Sequence, residues 1–123
     1  MFLDTREKIV PLQDLPAQLG NGNWLAVIGR FDPLTLAQAE RLAELTREGR
    51  SIVGVIEPGE DCLLPVEARA ALVAALSSVQ LVVIGEAGSL PGHPQMEIIA
   101  DEEGERKRSA EFVQFIAERQ GAR

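Results

Sequence analysis

The stretch Trp24-Leu-Ala-Val-Ile-Gly-Arg-Phe-Asp-Pro-Leu-Thr-Leu-Ala-Gln38 decides the fold. Its first half, Trp24 to Gly29, is a near-continuous apolar run of strand length without strict alternation. That pattern predicts a strand covered on both faces, the habit of parallel sheets. Its second half opens a helix. Leu36 to Thr46 carries an apolar stripe of Leu36, Ala39, Leu42 and Leu45, with Glu40, Arg41, Glu44 and Arg47 on the wet side. A strand that turns directly into an amphipathic helix is the opening unit of an α/β domain.

The unit repeats outward from there. Ser51 to Ile56 reads as a second buried strand. Pro65 is well placed for the first turn of a helix with Glu67 near its positive end. That helix runs to about Leu76, through Ala68, Ala71, Leu72 and Ala75. Gln80 to Ile84 is a third strand and Met96 to Ala100 a fourth. A last helix covers 105–119, with Phe112, Phe115 and Ile116 on one face. The order predicts a single domain over 1–123, a three-layer, Rossmann-like parallel sheet of four or five strands. Residues 1–23 read as a lead-in segment with one short helix at Leu12, Leu15, Pro16 and Leu19, closed by a turn at Gly20-Asn21-Gly22-Asn23.

Composition narrows the function. The chain has 123 residues and a net charge of −7. An acidic surface argues against nucleic acid and against anionic membranes as partners. It leaves room for a local pocket for a small phosphorylated ligand. The one dense basic cluster, Arg106-Lys107-Arg108, reads as a solvated helix face. A single cysteine, Cys62, excludes an internal disulfide and fits a reducing, cytoplasmic setting. The single histidine, His93, sits in the turn-like Pro91-Gly92-His93-Pro94. The first residues carry early charges and do not read as a signal peptide. No apolar run reaches spanning length.

In open α/β sheets, ligands bind outside the carboxyl ends of the strands. The first such end offers Gly29, Arg30, Phe31, Asp32, Thr35 and Gln38 as candidate nucleotide-binding residues. Gly29 lets backbone approach closely, Arg30 is able to pair with phosphate, and Asp32 either orients a polar partner or ends the turn. Thr35 followed by Gln38 has the spacing of a capping box, in which each side chain bonds the other's backbone N–H. A ligand contact is the other role open to Thr35.

Ile28-Gly-Arg-Phe-Asp-Pro-Leu-Thr-Leu-Ala-Gln38 resembles the opening of the cytidylyltransferase-like nucleotidyltransferase superfamily. The nearest relatives by this likeness are the glycerol-3-phosphate cytidylyltransferases and the adenylyltransferase domain of ADP-heptose synthesis. Their pattern is a strand, Gly-x-Phe-Asp, two residues, then His-x-Gly-His opening a helix. The lead-in Lys8 to Leu15, the strand Ile52 to Val55, and the helix from Pro65 with its Glu67-x-Arg69 are also similar. The likeness covers residues 8–85. It implies the nucleotidyltransferase type of sheet, dimers, and Mg²⁺ with CTP or ATP acting on a phosphorylated sugar or polyol.

The departures from that pattern are as informative. The family histidine positions are Thr35 and Gln38 here, and its glycine position is Ala37. Neither replacement can supply an imidazolium. The family's lysine after the second strand is missing, and Glu57-Pro-Gly-Glu-Asp-Cys62 stands there instead. Of the family's serine- and threonine-rich signature at the last helix, Ser109 alone is present. Transfer chemistry depends on donors aimed at developing charge, and one such donor is worth about 3 kcal/mol. The resemblance therefore implies a degenerate member without confident catalytic or metal-binding residues, serving to bind nucleotide or as an interaction module. The alternative is an active enzyme in which a divalent ion held near Asp32 and Glu57 replaces the lost charge. A Cys62–His93 nucleophile–base pair is a further arrangement to test. Self-association through an open sheet edge or the Phe112 and Phe115 face would give a homodimer.

Overall fold

Burial on both faces makes the two central strands. In the computed structural model, which describes residues 4–93 and 96–100, the apolar run forms β1 (Trp24–Gly29), and all six residues are buried. β2 (Ser51–Ile56), β3 (Leu81–Ile84) and β4 (Met96–Ala100) complete one sheet in the order β3-β2-β1-β4. Every pairing is parallel. The chain is thus a small α/β domain of generic Rossmann-like arrangement. The helix expected over 105–119 lies outside the described residues.

Register sorts the side chains into two cores. Leu25 lies beside Ile52, and Val27 beside Gly54 and then Val82. These positions face α2 (Leu36–Thr46) and α3 (Val66–Ala74), where Leu42, Ala70, Val73 and Ala74 close the first core. The intervening residues Ala26, Ile28, Val53, Val55 and Val83 point the other way. They pack on Leu15 and Leu19 of α1 (Leu15–Leu19), with Val10 and Leu12 beside them.

The lead-in is therefore a layer of the fold. It is also latched at several points. The Val10 N–H donates to the Val82 carbonyl at 2.9 Å, and Ile9 bridges to the outer edge of β3. Lys8 Nζ donates to the carbonyls of Leu76 and Val79 at 3.0 and 2.9 Å. Those carbonyls follow the end of α3, where a cation is favoured by the helix dipole. Trp24 Nε1 donates to the Leu19 carbonyl at 2.8 Å, tying α1 to β1.

Two helix faces differ from the sequence reading. Leu36 does not join the apolar stripe of α2, since it is 75% exposed. It is the first residue of the helix, and helical side chains tilt toward the N-terminus, so it projects past the layer it was expected to pack on. On α3 the buried face is Arg69, Ala70, Val73 and Ala74, whereas Leu72 is outside and Ala75 follows the helix end. Most of this helix is apolar, so periodicity gives no contrast from which to choose a face.

Helix α3 sits close to the sheet because β2 has no side chain at Gly54. A Cβ there would lie 3.0 Å from Val73 Cγ1. Substituting Gly54→Val is expected to force the helix outward and lower stability by about 1–3 kcal/mol. Urea unfolding of the two proteins measures that difference.

Candidate functional site

The carboxyl ends of β1, β2 and β3 meet under the loops at 30–35, 57–65 and 85–89. In the order β3-β2-β1-β4, the chain reverses direction of growth between β1 and β4. That switch point is where α/β sheets open a crevice. One wall is the loop after β1. The chain beyond Ala100 lies outside the described residues.

The loop after β1 is shaped by buried and bonded groups. Gly29 ends the strand, and its carbonyl accepts from the Glu57 N–H at 2.9 Å. Phe31 has a φ of 50°, a left-handed conformation that non-glycine residues adopt at a cost of order 1–3 kcal/mol. Its ring is buried in the first core with Leu42, Ile52 and Ile56. Burying a phenylalanine contributes about 1.5–3 kcal/mol, enough to offset the strain. The candidate Phe31 thus presents its backbone, and not its ring, to the site.

Asp32 has a defined structural partner. Its carboxylate accepts from the Leu63 N–H at 2.6 Å and from the Leu64 N–H at 2.8 Å. It clasps the loop after β1 to the loop before α3. Thr35 caps α2. Its Oγ1 accepts from the Gln38 N–H at 3.2 Å, and Gln38 Oε1 accepts from the Thr35 N–H at 3.0 Å. Of the two roles open to Thr35 in the sequence, the structure displays the cap. Gln38 is only 2% exposed.

The group that sequence reasoning passed over is Arg69. It is buried, and its guanidinium faces backbone carbonyls. Nε donates to Leu64 at 3.1 Å, Nη1 to Arg30 at 2.9 Å and Glu57 at 2.7 Å, and Nη2 to Pro58. One side chain thereby joins the ends of β1 and β2 to the approach of α3. A signal was available, because Arg69 is the one base in a helix whose remaining residues other than Glu67 are apolar, and such a charge is buried only when bonded.

Arg30 is exposed and lies along the 57–61 turn, since a Cβ on Gly59 would sit 3.2 Å from Arg30 Nε. Arg30, Pro58, Gly59, Glu60, Asp61 and Glu86 line an open recess. It holds three carboxylates against one guanidinium. Glu57 is half-buried, and its carbonyl is taken by Arg69. Among the described residues, no group of three or more His, Cys, Asp or Glu is placed to hold a metal ion. Both Asp32 oxygens accept from backbone N–H groups.

Cys62 and His93 are not brought together. Cys62 is half-buried in the loop after β2, and its thiol donates to the Pro58 carbonyl at 3.5 Å. His93 precedes β4, and its Nε2 lies 3.0 Å from the Gly20 carbonyl in the turn ahead of β1. The two residues therefore stand at opposite ends of strands of up to six residues, roughly 20 Å long. No helix among the described residues is long and apolar enough to cross a membrane. No family model and no curated protein sequence matches the chain.

Two variants test this framework. Arg69→Met keeps a stem but removes four hydrogen bonds, those to the carbonyls of Arg30, Glu57, Pro58 and Leu64. It is expected to lower stability by about 3 kcal/mol or more in urea unfolding, since each unmet buried group costs about 1–3 kcal/mol. Asp32→Ala is expected to cost about 1–3 kcal/mol. It should also speed hydrogen exchange at the Leu63 and Leu64 amides, which NMR resolves residue by residue.

Proposed function

We propose that this chain is a nucleotidyltransferase-like α/β domain that does not transfer nucleotides and acts as an interaction module. The observation that carries the proposal is the capping box. The resemblance assigns phosphate-contacting histidines to positions 35 and 38, and here those side chains bond to the opening of α2. A threonine and a glutamine used in this way supply no mobile positive charge to a reacting phosphate. The surrounding charge supports the same reading. Glu60, Asp61 and Glu86 outnumber Arg30 around the recess, so a polyphosphate meets repulsion where the family pattern has a lysine. The net charge of −7 likewise favours partners other than nucleic acid.

The test is direct. Purified protein is incubated with CTP or ATP, Mg²⁺, and glycerol 3-phosphate or a sugar phosphate, and pyrophosphate release is followed. Parallel calorimetric titrations use CTP and ATP with and without Mg²⁺. The expected result is no release above the buffer rate and no saturable heat into the millimolar range. Turnover would overturn the proposal in favour of a Mg²⁺-dependent nucleotidyltransferase. Saturable nucleotide binding without turnover, weakened by Arg30→Ala, would replace the interaction role with a nucleotide-binding one.

A further inference from the structure

We infer that the carboxyl end of the sheet is a docking surface for a basic peptide segment bearing large apolar side chains, seated on Leu36 and Leu63 and framed by the acids of the loop after β2 and the start of α3. The inference rests on the interaction-module reading and names the chemistry of the partner.

Leu36 and Leu63 are 75% and 80% exposed. Single exposed leucines are ordinary on a soluble protein. These two differ in being placed at the same end of the sheet, Leu63 on the loop that Asp32 holds and Leu36 at the start of the helix that follows Asp32. The clasp holds Leu63 by its own backbone N–H, at 2.6 Å from the carboxylate. Arg69 anchors the loop on either side through the carbonyls of Glu57, Pro58 and Leu64. Between those anchors, Gly59 and Asp61 each turn the chain through a left-handed conformation, with φ of 59° at both. An apolar side chain held outward on a fixed loop loses little freedom when a partner covers it, which is the physical content of preorganisation.

Charge identifies the partner. Residues 57–67 carry Glu57, Glu60, Asp61 and Glu67 and no base. Glu86 adds to the same end from the loop after β3. Lysine and arginine on the partner would meet complementary potential, with leucine or phenylalanine covering Leu36 and Leu63. A second copy of this chain fits less well. A two-fold contact sets a patch against itself, which here brings acids against acids. Nucleic acid and anionic lipid are repelled for the same reason.

The experiment uses the full chain and a fluorescein-labelled amphipathic peptide of Lys and Leu, with a Lys and Ser peptide of equal charge as control. Fluorescence polarisation reads binding to the natural protein, to a Leu36→Ser, Leu63→Ser double variant, and to Leu72→Ser. All three sites are solvent-exposed. Circular dichroism melting verifies that each variant is folded. The expected result is saturable, micromolar binding of the Lys and Leu peptide, weakened about tenfold or more in the double variant and unchanged in Leu72→Ser. Absence of saturable binding overturns the inference. So does equal binding of the Lys and Ser peptide, or equal binding by the double variant, because either reports charge alone. Sedimentation of the same samples gives the remaining outcome. A dimer lost in the double variant assigns the surface to a second copy and overturns the peptide partner. Pyrophosphate release, measured on the same preparation, separates the two readings. Turnover removes the non-transferring domain, whereas a silent assay with no peptide binding removes this surface alone.

Discussion

The carboxyl end of this domain depends on one buried cation. Arg69 has no carboxylate among its hydrogen-bond partners and satisfies its charge on four backbone carbonyls. Burying an unpaired ion costs several kcal/mol, so the arrangement persists only because four of the five guanidinium N–H groups find an oxygen. The carbonyls come from the ends of two strands and the approach to α3, at Arg30, at Glu57 and Pro58, and at Leu64. A planar guanidinium fixes them relative to one another with a rigidity that a lysine would not give. The positions of β1, β2 and the loop before α3 therefore form one rigid frame. Asp32 extends that frame to the loop that carries Thr35 and Leu36.

The frame also explains why the left-handed Phe31 is tolerated. The loop must turn at once after β1 to present the Arg30 carbonyl to Arg69 and the Asp32 carboxylate to Leu63 and Leu64. The ring then falls into the core between α2 and the sheet. Backbone strain, core packing and polar contacts at this end are thus coupled. The residues best placed to serve as a nucleotide site are largely occupied with holding the loops.

Much of the fold was legible because it rests on local patterns. Three apolar runs of strand length and the amphipathic contrast along α2 marked their own elements, and the Thr35–Gln38 spacing announced its cap. Legibility failed where the deciding partner is distant in sequence. The lead-in looked peripheral because nothing near it shows that Leu15 and Leu19 cover the far face of the sheet. The apolar composition of α3 hid which side is buried. Leu36 was assigned to a stripe by spacing, although its place at the first turn carries it beyond the core. In the candidate site, the loop after β1 was found from its position at a strand end. The roles of Asp32 and Arg69 were not, since each acts on backbone atoms whose residue types carry no signal.

The latch made by the lead-in imposes an order of events on the chain. Lys8 is joined to carbonyls 68 and 71 residues away, and Val10 to the carbonyl of Val82. The lead-in must wait, without its partners, until the third strand has been synthesised. Contacts of such long sequence separation form late, after their loop entropy has been overcome by other packing. During that interval the far face of the growing sheet and the edge of β3 are bare. When the latch closes, Ile9 and Val10 cover the outer edge of β3 at Val82, so docking of the lead-in shortens the stretch of edge open to pairing with another chain.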